Sequence, residues 1–501
     1  MSLLARRLFL SLVAVLVAFV CAEGLVSFLF GVSLLGRPEM GPSLSEASLA
    51  SRLATSPGLY RTHPDPLVGY VMREEASLEI YGGSIQTDHL GLRRRAGVPV
   101  LAEEDPLVVA VVGDSVAFGY GLDDDECLAH RLEILLNHAR PDGERDVVCR
   151  TVAIPGWNTR NAVHFLLDHL DEIDPDLVLY LPVPNDLSDT DGVYESGHRR
   201  AASDPFSPDP LLRVSSGDVD RFQQELFKRQ AQPIERSVGS LLNADISQES
   251  SRRFDEAADA LSLLDETLAS RGASLWMVAY RGSVFTSRLW LRLFDRDVSM
   301  PLINLLVSMP AEWTQVSNAH PNVAAVRHLA TWLAEEVLQG DLITGEVSSL
   351  PSVPDEFSAL RALPVGVTAL RNLVAAQTKE TLALIQPEVD FRTGRGTGQI
   401  YGGIHPNGVM GPRLLVALAG EGNALDVELA SLEGQPDLYP LDVTVEVDGK
   451  EVGMITLKEG AVSQGRFAIP SASIGNSVLE VRLRAKAWAL LDWGGRGQTA
   501  S

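Results

Sequence analysis

From Pro106 onward, short continuous apolar runs alternate with longer stretches whose apolar positions recur at helical spacing. Leu107–Val112, Asp146–Ala153, Leu177–Pro182 and Ala273–Tyr280 are brief and mostly apolar, as strands of a parallel sheet are. Between and after them, Asp125–His138, Arg160–Asp171 and Phe254–Arg271 predict helices, and Pro321–Leu338 an amphipathic helix that closes the unit. Strands that alternate with helices predict an α/β fold with a doubly wound parallel sheet. From about Gly398 the period shortens to two: Leu441–Val447, Val452–Leu457 and Val478–Leu483 alternate, and Asp448-Gly449 reads as a tight hairpin turn. Several such strands predict an all-β sandwich of about 100 residues, jelly-roll-like in its strand spacing.

The chain before Pro106 has a different character. Arg6 and Arg7 precede the apolar stretch Leu8–Ala22, and apolar residues resume over Leu25–Leu35. Val20-Cys21-Ala22 offers a signal-peptidase site, but the apolar character beyond it favours an uncleaved signal anchor, an N-terminal transmembrane helix. The arginines keep the N-terminus inside, so the remainder is expected outside the cytoplasm, in the periplasm of a bacterial cell. The expected organisation is an anchor over 1–36, a spacer and β-rich lead-in over 37–104, and an α/β domain over 105–340. A helical connector over 341–397 and the sandwich over 398–490 complete it. Phe357–Leu384 carries the connector's helical spacing, and Asp191–Arg253 is polar and loop-like.

A length of 501 residues exceeds a single core, and an apolar fraction of 45% argues against disorder. The net charge of −24 is spread along the chain and disfavours nucleic acid as a partner. Cys127 and Cys149 allow one disulfide but sit on core-like segments, where buried thiols are the simpler expectation. No zinc pattern occurs, and neither a metal nor a cofactor is expected.

Chemistry enters at Gly113-Asp114-Ser115, which puts a serine on a sharp turn after the first strand. In open α/β sheets ligands bind at that end of the strands. Serine becomes a nucleophile only when a base takes its proton and donors stabilise the oxyanion. Three later blocks supply candidates: Gly156 in Ile154-Pro-Gly-Trp157, Asn185 in Val183-Pro-Asn-Asp186, and His320 in Ser317-Asn-Ala-His-Pro-Asn322. Taken singly, Gly156 suits a helix-start turn, Asn185 and Asp186 suit caps, and His320 suits a loop; together they form one constellation.

The order Ser115, Gly156, Asn185, His320 resembles the SGNH (GDSL-type) hydrolase superfamily over roughly Asp65–Leu338. Asp65-Pro-Leu-Val-Gly-Tyr70 and Thr87-Asp-His-Leu-Gly-Leu-Arg93 look like the lead-in of its membrane-anchored bacterial members. The resemblance implies a flavodoxin-like sheet and acyl transfer: Ser115 and His320 catalytic, with Ser115, Gly156 and Asn185 forming the oxyanion hole. Two positions depart from the family. Ser317 stands where an Asp usually precedes the histidine, and Val183 where a Gly usually precedes the asparagine. A missing carboxylate can cost about 10⁴ in turnover, so Asn318 or Ser317 is the candidate orienter of His320, with Asp123 or Asp189 as distant replacements. A second His-Pro-Asn, at His405, leads into strands rather than a closing helix and reads as structural.

The expected function is an extracytoplasmic serine esterase acting on O-acylated polysaccharide or cell-wall glycan, tethered to the membrane by its N-terminal helix. Two other outcomes stand beside it: a polysaccharide O-acetyltransferase that uses the same Ser-His site, and, from another class, a catalytically silent glycan-binding or assembly protein. Trp488 and Trp493 are candidate sugar platforms, though as core or terminal aromatics they need no such role.

Overall fold

The computed structural model describes residues 59–80, 83–94, 106–187, 190, 192–193, 199–200, 245–246, 248–280, 284–305, 309–315, 320–340, 347–351, 366–390, 400–404, 410–431, 439–485, 488–491 and 497–500. The expected anchor, and with it Ser317, Asn318, Asp189, His405 and Trp493, lies outside the described residues. Among the described residues no helix is long and apolar enough to cross a membrane.

Five parallel strands form the centre: β1 (Leu107–Gly113), β2 (Val147–Ala153), β3 (Leu177–Leu181), β4 (Ser274–Ala279) and β5 (Leu302–Asn304). They lie in the order β2-β1-β3-β4-β5, the doubly wound arrangement that the alternating pattern predicts. Every residue of β3 is buried, and so is all of β1 after Leu107. Each buried Val or Leu side chain among them contributes about 1.5–3 kcal/mol of apolar burial, which holds these two strands at the middle of the sheet.

The intervening helices are α1 (Ser115–Phe118), α2 (Leu128–Ala139), α3 (Thr159–Asp168), α4 (Gln248–Ser270), α5 (Val284–Phe294) and α6 (Val323–Gln339). Helix α2 packs against α6, and α4 against both α3 and α5. Several boundaries differ from the sequence expectation. The helix expected from Asp125 starts at Leu128, because Asp124–Glu126 forms a 3-10 turn. The helix expected to run to Asp171 stops at Asp168, and a separate turn at Leu170–Ile173 ends on Asp174 in the left-handed region. Helix α4 starts at Gln248, six residues before Phe254, on polar residues that carry no apolar signal. The pattern also gave no α5 and no β5. Helix α5 turns Arg288 into the interior, which breaks its apolar stripe, and β5 has only three residues.

The C-terminal unit has its own core, formed by residues such as Leu414, Val443, Val445, Ile455 and Leu483. Its main sheet joins β6 (Ile400–Ile404), β7 (Met410–Ala419), β9 (Leu441–Val447), β10 (Lys450–Leu457) and β12 (Val478–Ala485), all antiparallel, in the order β6-β7-β12-β9-β10. The pair β8 (Ala424–Ala430) and β11 (Val462–Ala468) packs Leu425 and Phe467 onto the same core. Asp448 and Gly449 have φ of 48° and 75°, the left-handed pair that a two-residue turn between β9 and β10 requires. Of the expected connector helix, α7 (Val367–Leu384) is described. Cys127 and Cys149 are buried free thiols.

Candidate active site

Strand register assembles the site. Gly113 at the end of β1 pairs with Ala153 of β2 on one side and Leu181 of β3 on the other, so the three strands finish level. The loops that follow carry Ser115, Gly156 and Asn185 to one edge of the sheet. That edge lies between β1 and β3, where the strand order reverses and open α/β sheets place their ligands.

Each loop has a local reason for its shape. Gly113 takes φ of 156°, and a Cβ there would stand 3.0 Å from the Leu181 carbonyl oxygen. Asp114 caps α1, its Oδ1 accepting the Val116 N–H at 3.1 Å, which leaves Ser115 as the first helical residue. Gly119, left-handed at φ 77°, ends the turn so close to α2 that a Cβ would come within 2.7 Å of the Cys127 Cβ.

Gly156, at φ 84°, turns the chain after β2. The lead-in braces this turn from outside: Tyr70 Oη donates to the Pro155 carbonyl at 3.0 Å, and Trp157 Nε1 donates to the Tyr70 carbonyl at 2.8 Å. Asn158 then caps α3.

Asn185 belongs to the turn Pro184–Leu187. The buried Asp186 closes that turn, its Oδ2 accepting the Val183 N–H at 2.9 Å and the Tyr180 hydroxyl at 2.7 Å. Val183, where a glycine was expected, fits because its side chain enters the main core. Burial, and secondarily the Asp114 carboxylate, push the Asp186 carboxyl well above the usual carboxylate range. Burial likewise raises the Tyr180 phenol.

His320 arrives from the far end of the domain. Thr314 pairs with Pro321, the Gln315 N–H donates to the His320 carbonyl at 2.9 Å, and Asn322 caps α6 through the Ala325 N–H at 3.1 Å. These constraints bring His320 Nε2 to 2.8 Å from Ser115 Oγ, between residues 205 apart in sequence. Ser115 Oγ also lies 3.0 Å from Asp114 Oδ2. The structure therefore joins the expected nucleophile to the expected base and places Gly156 and Asn185 on loops of the same edge. Asp123 serves elsewhere, its carboxylate accepting the Ser84 N–H at 2.8 Å.

Two residues here escaped the sequence reading. Tyr120 stacks on the His320 ring, with centroids 4.6 Å apart and planes inclined by 20°. Arg93, fully buried, pairs with Asp124 at 2.8 Å and donates to the carbonyls of Phe118 at 2.9 Å, Gly119 at 2.8 Å and Leu122 at 2.6 Å. Tyr120 lies within the glycine-rich stretch that drew attention to Ser115, and Arg93 ends the lead-in motif. Neither position signals its contact without the fold.

A serine hydroxyl in contact with an imidazole, at the switch point of a doubly wound sheet, is a candidate nucleophile-and-base pair. No protein-family model matches this chain, and no curated protein matches it. Among solved structures it is similar to the psychrotrophic esterase EstA from Pseudoalteromonas sp., at 14% identity and TM-score 0.28 over 47% of this chain and 99% of that one. It is similar to an acetyl xylan esterase from the rumen bacterium Butyrivibrio proteoclasticus, at 12% identity and TM-score 0.28 over 48% of this chain and 65% of that one. A two-domain esterase active on acetylated mannans aligns over 76% of this chain and 85% of its own, at 10% identity and TM-score 0.30.

Proposed function

We propose that the protein is a serine acyl esterase of the SGNH type that removes acyl groups from an O-acylated glycan outside the cytoplasm. The observation that carries this reading is the 2.8 Å contact between Ser115 Oγ and His320 Nε2. Contact at hydrogen-bond distance is what general-base activation of a serine requires.

The proposed reaction begins at this contact. Neutral His320 accepts the Ser115 proton at Nε2 while Oγ attacks the acyl carbonyl. The oxyanion is met by the three donors that the family resemblance assigns, the backbone N–H groups of Ser115 and Gly156 and the side chain of Asn185. Collapse expels the sugar oxygen, which takes the proton from His320. Water, activated by the same imidazole, then releases the acyl group and restores Ser115.

Support for the location comes from Arg6-Arg7 and the apolar run that follows. Support for a polymeric substrate comes from a second, separately cored β-sheet unit on the same chain. The test is acetate release by the full chain from p-nitrophenyl acetate and from an acetylated polysaccharide. Ser115→Ala and His320→Ala are each expected to lower kcat by at least about 10³, in line with removal of either member of a Ser-His pair. Turnover that survives Ser115→Ala would refute the assignment.

A further inference from the structure

We propose that Tyr120 is a positioning residue for His320, its ring holding the plane of the imidazole against Ser115, and that Gln315 locks the two loops in register. This deepens the esterase reading and rests on it.

A hydrogen bond to Ser115 fixes one atom of the His320 ring but leaves the ring free to swing about that atom. A flat stack at 4.6 Å and 20° removes this freedom, because rotation about the Cβ–Cγ bond would drive the imidazole edge into the Tyr120 ring. The stack is itself tied to the nucleophile, since the Tyr120 N–H donates to the Ser115 carbonyl at 2.9 Å.

Gln315 closes the circuit. Its backbone N–H donates to the His320 carbonyl, and its side-chain amide donates to the Tyr120 carbonyl and, at 3.2 Å, to the Pro321 carbonyl. Ser115, Tyr120, Gln315 and His320 thus form a closed loop of contacts in which each member fixes the next. Gly121 makes the approach feasible: its φ is 76°, and a Cβ there would collide with the Gln315 side chain.

The electrostatics act in the same direction. The face of a phenol ring is negative, so it attracts imidazolium more strongly than neutral imidazole. The charge on His320 appears only as Ser115 attacks, so the stack strengthens toward the transition state and belongs to kcat rather than KM.

The experiment compares Tyr120→Phe, Tyr120→Leu and the parent, as full chains, by p-nitrophenyl acetate kinetics and by proton NMR of the His320 imidazole, its signal assigned by its loss in His320→Ala. Tyr120→Phe keeps the ring and is expected to keep the parent's kcat and the ring-current displacement of the His320 signal. Tyr120→Leu is expected to lose that displacement and about tenfold in kcat at unchanged KM, the scale of a desolvated cation–π contact. Gln315→Ala is expected to shift the same signal part of the way. Full kcat in Tyr120→Leu, or an equal loss in Tyr120→Phe, would overturn the role of the ring. A parent that hydrolyses nothing would instead sink the esterase reading, and an undisplaced His320 signal in that parent would sink the stack as well.

Discussion

Ser115 has one proton and two acceptors within reach, Asp114 Oδ2 at 3.0 Å and His320 Nε2 at 2.8 Å, and only the second direction yields a nucleophile. Behind this pair, Asp186 holds a proton more tightly than the solvated chain would. Burial, followed by the Asp114 carboxylate, raises its folded pKa well above the usual range, whereas the unfolded side chain titrates near about 4. Between those two values the folded state binds more protons than the unfolded one, so the contribution of Asp186 to stability falls as pH rises above about 4. Asp186→Asn keeps an oxygen for the Val183 N–H and the Tyr180 hydroxyl and removes the titration. Its Tm relative to the parent is therefore expected to climb as pH is raised, and parallel Tm profiles would contradict this. Ser115 and His320 were legible as residues because their chemistry is written in short motifs. Asp186 was legible only as a cap, since its buried setting depends on the Tyr180 hydroxyl that it accepts, which Thr159 meets in turn from α3.

At the scale of elements, the lead-in does more than precede the α/β domain. Arg93 reaches from the short strand Arg93–Arg94 to bind three carbonyls of the loop that follows Ser115, those of Phe118, Gly119 and Leu122, and Asp124 neutralises it in the interior. Removing one partner of a buried pair costs about 3–5 kcal/mol, because the other charge is left uncompensated. Arg93→Met is expected to lower unfolding free energy by that amount in urea titrations, and a loss below about 1 kcal/mol, the scale of an exposed ion pair, would refute the clamp. The strands and most helices were legible because apolar periodicity follows directly from burial. Helix α5 was not, because its buried Arg288 donates to the Val374 carbonyl, Gln377 and Thr378 of α7, partners that lie far along the chain.

The whole molecule contains a large α/β core and a smaller sandwich core built from separate sets of residues. Helix α7 links them, held to α5 by Arg288 and to β7 and β12 through Leu382, Ile385, Ala417 and Val478. Separate cores with a narrow connection favour separate unfolding events. Calorimetry is expected to show two transitions, with Leu132→Ala lowering one and Leu483→Ala the other, each by about 2–5 kcal/mol. A single transition displaced by either change would show instead that α7 makes the molecule one cooperative unit. By itself the sequence determined the alternation of strands and helices, the change to a period of two near Gly398, the hairpin turn at Asp448-Gly449, and which serine and histidine are the candidates for the chemistry. All of these are encoded within short stretches of chain, through burial period, backbone freedom and side-chain reactivity. Only the tertiary structure decided that Ser115 meets His320, that Tyr120 lies flat against the imidazole, and that Arg93 grips the nucleophile loop. Those contacts depend on strand register and on distances between residues remote in sequence, which no local pattern contains.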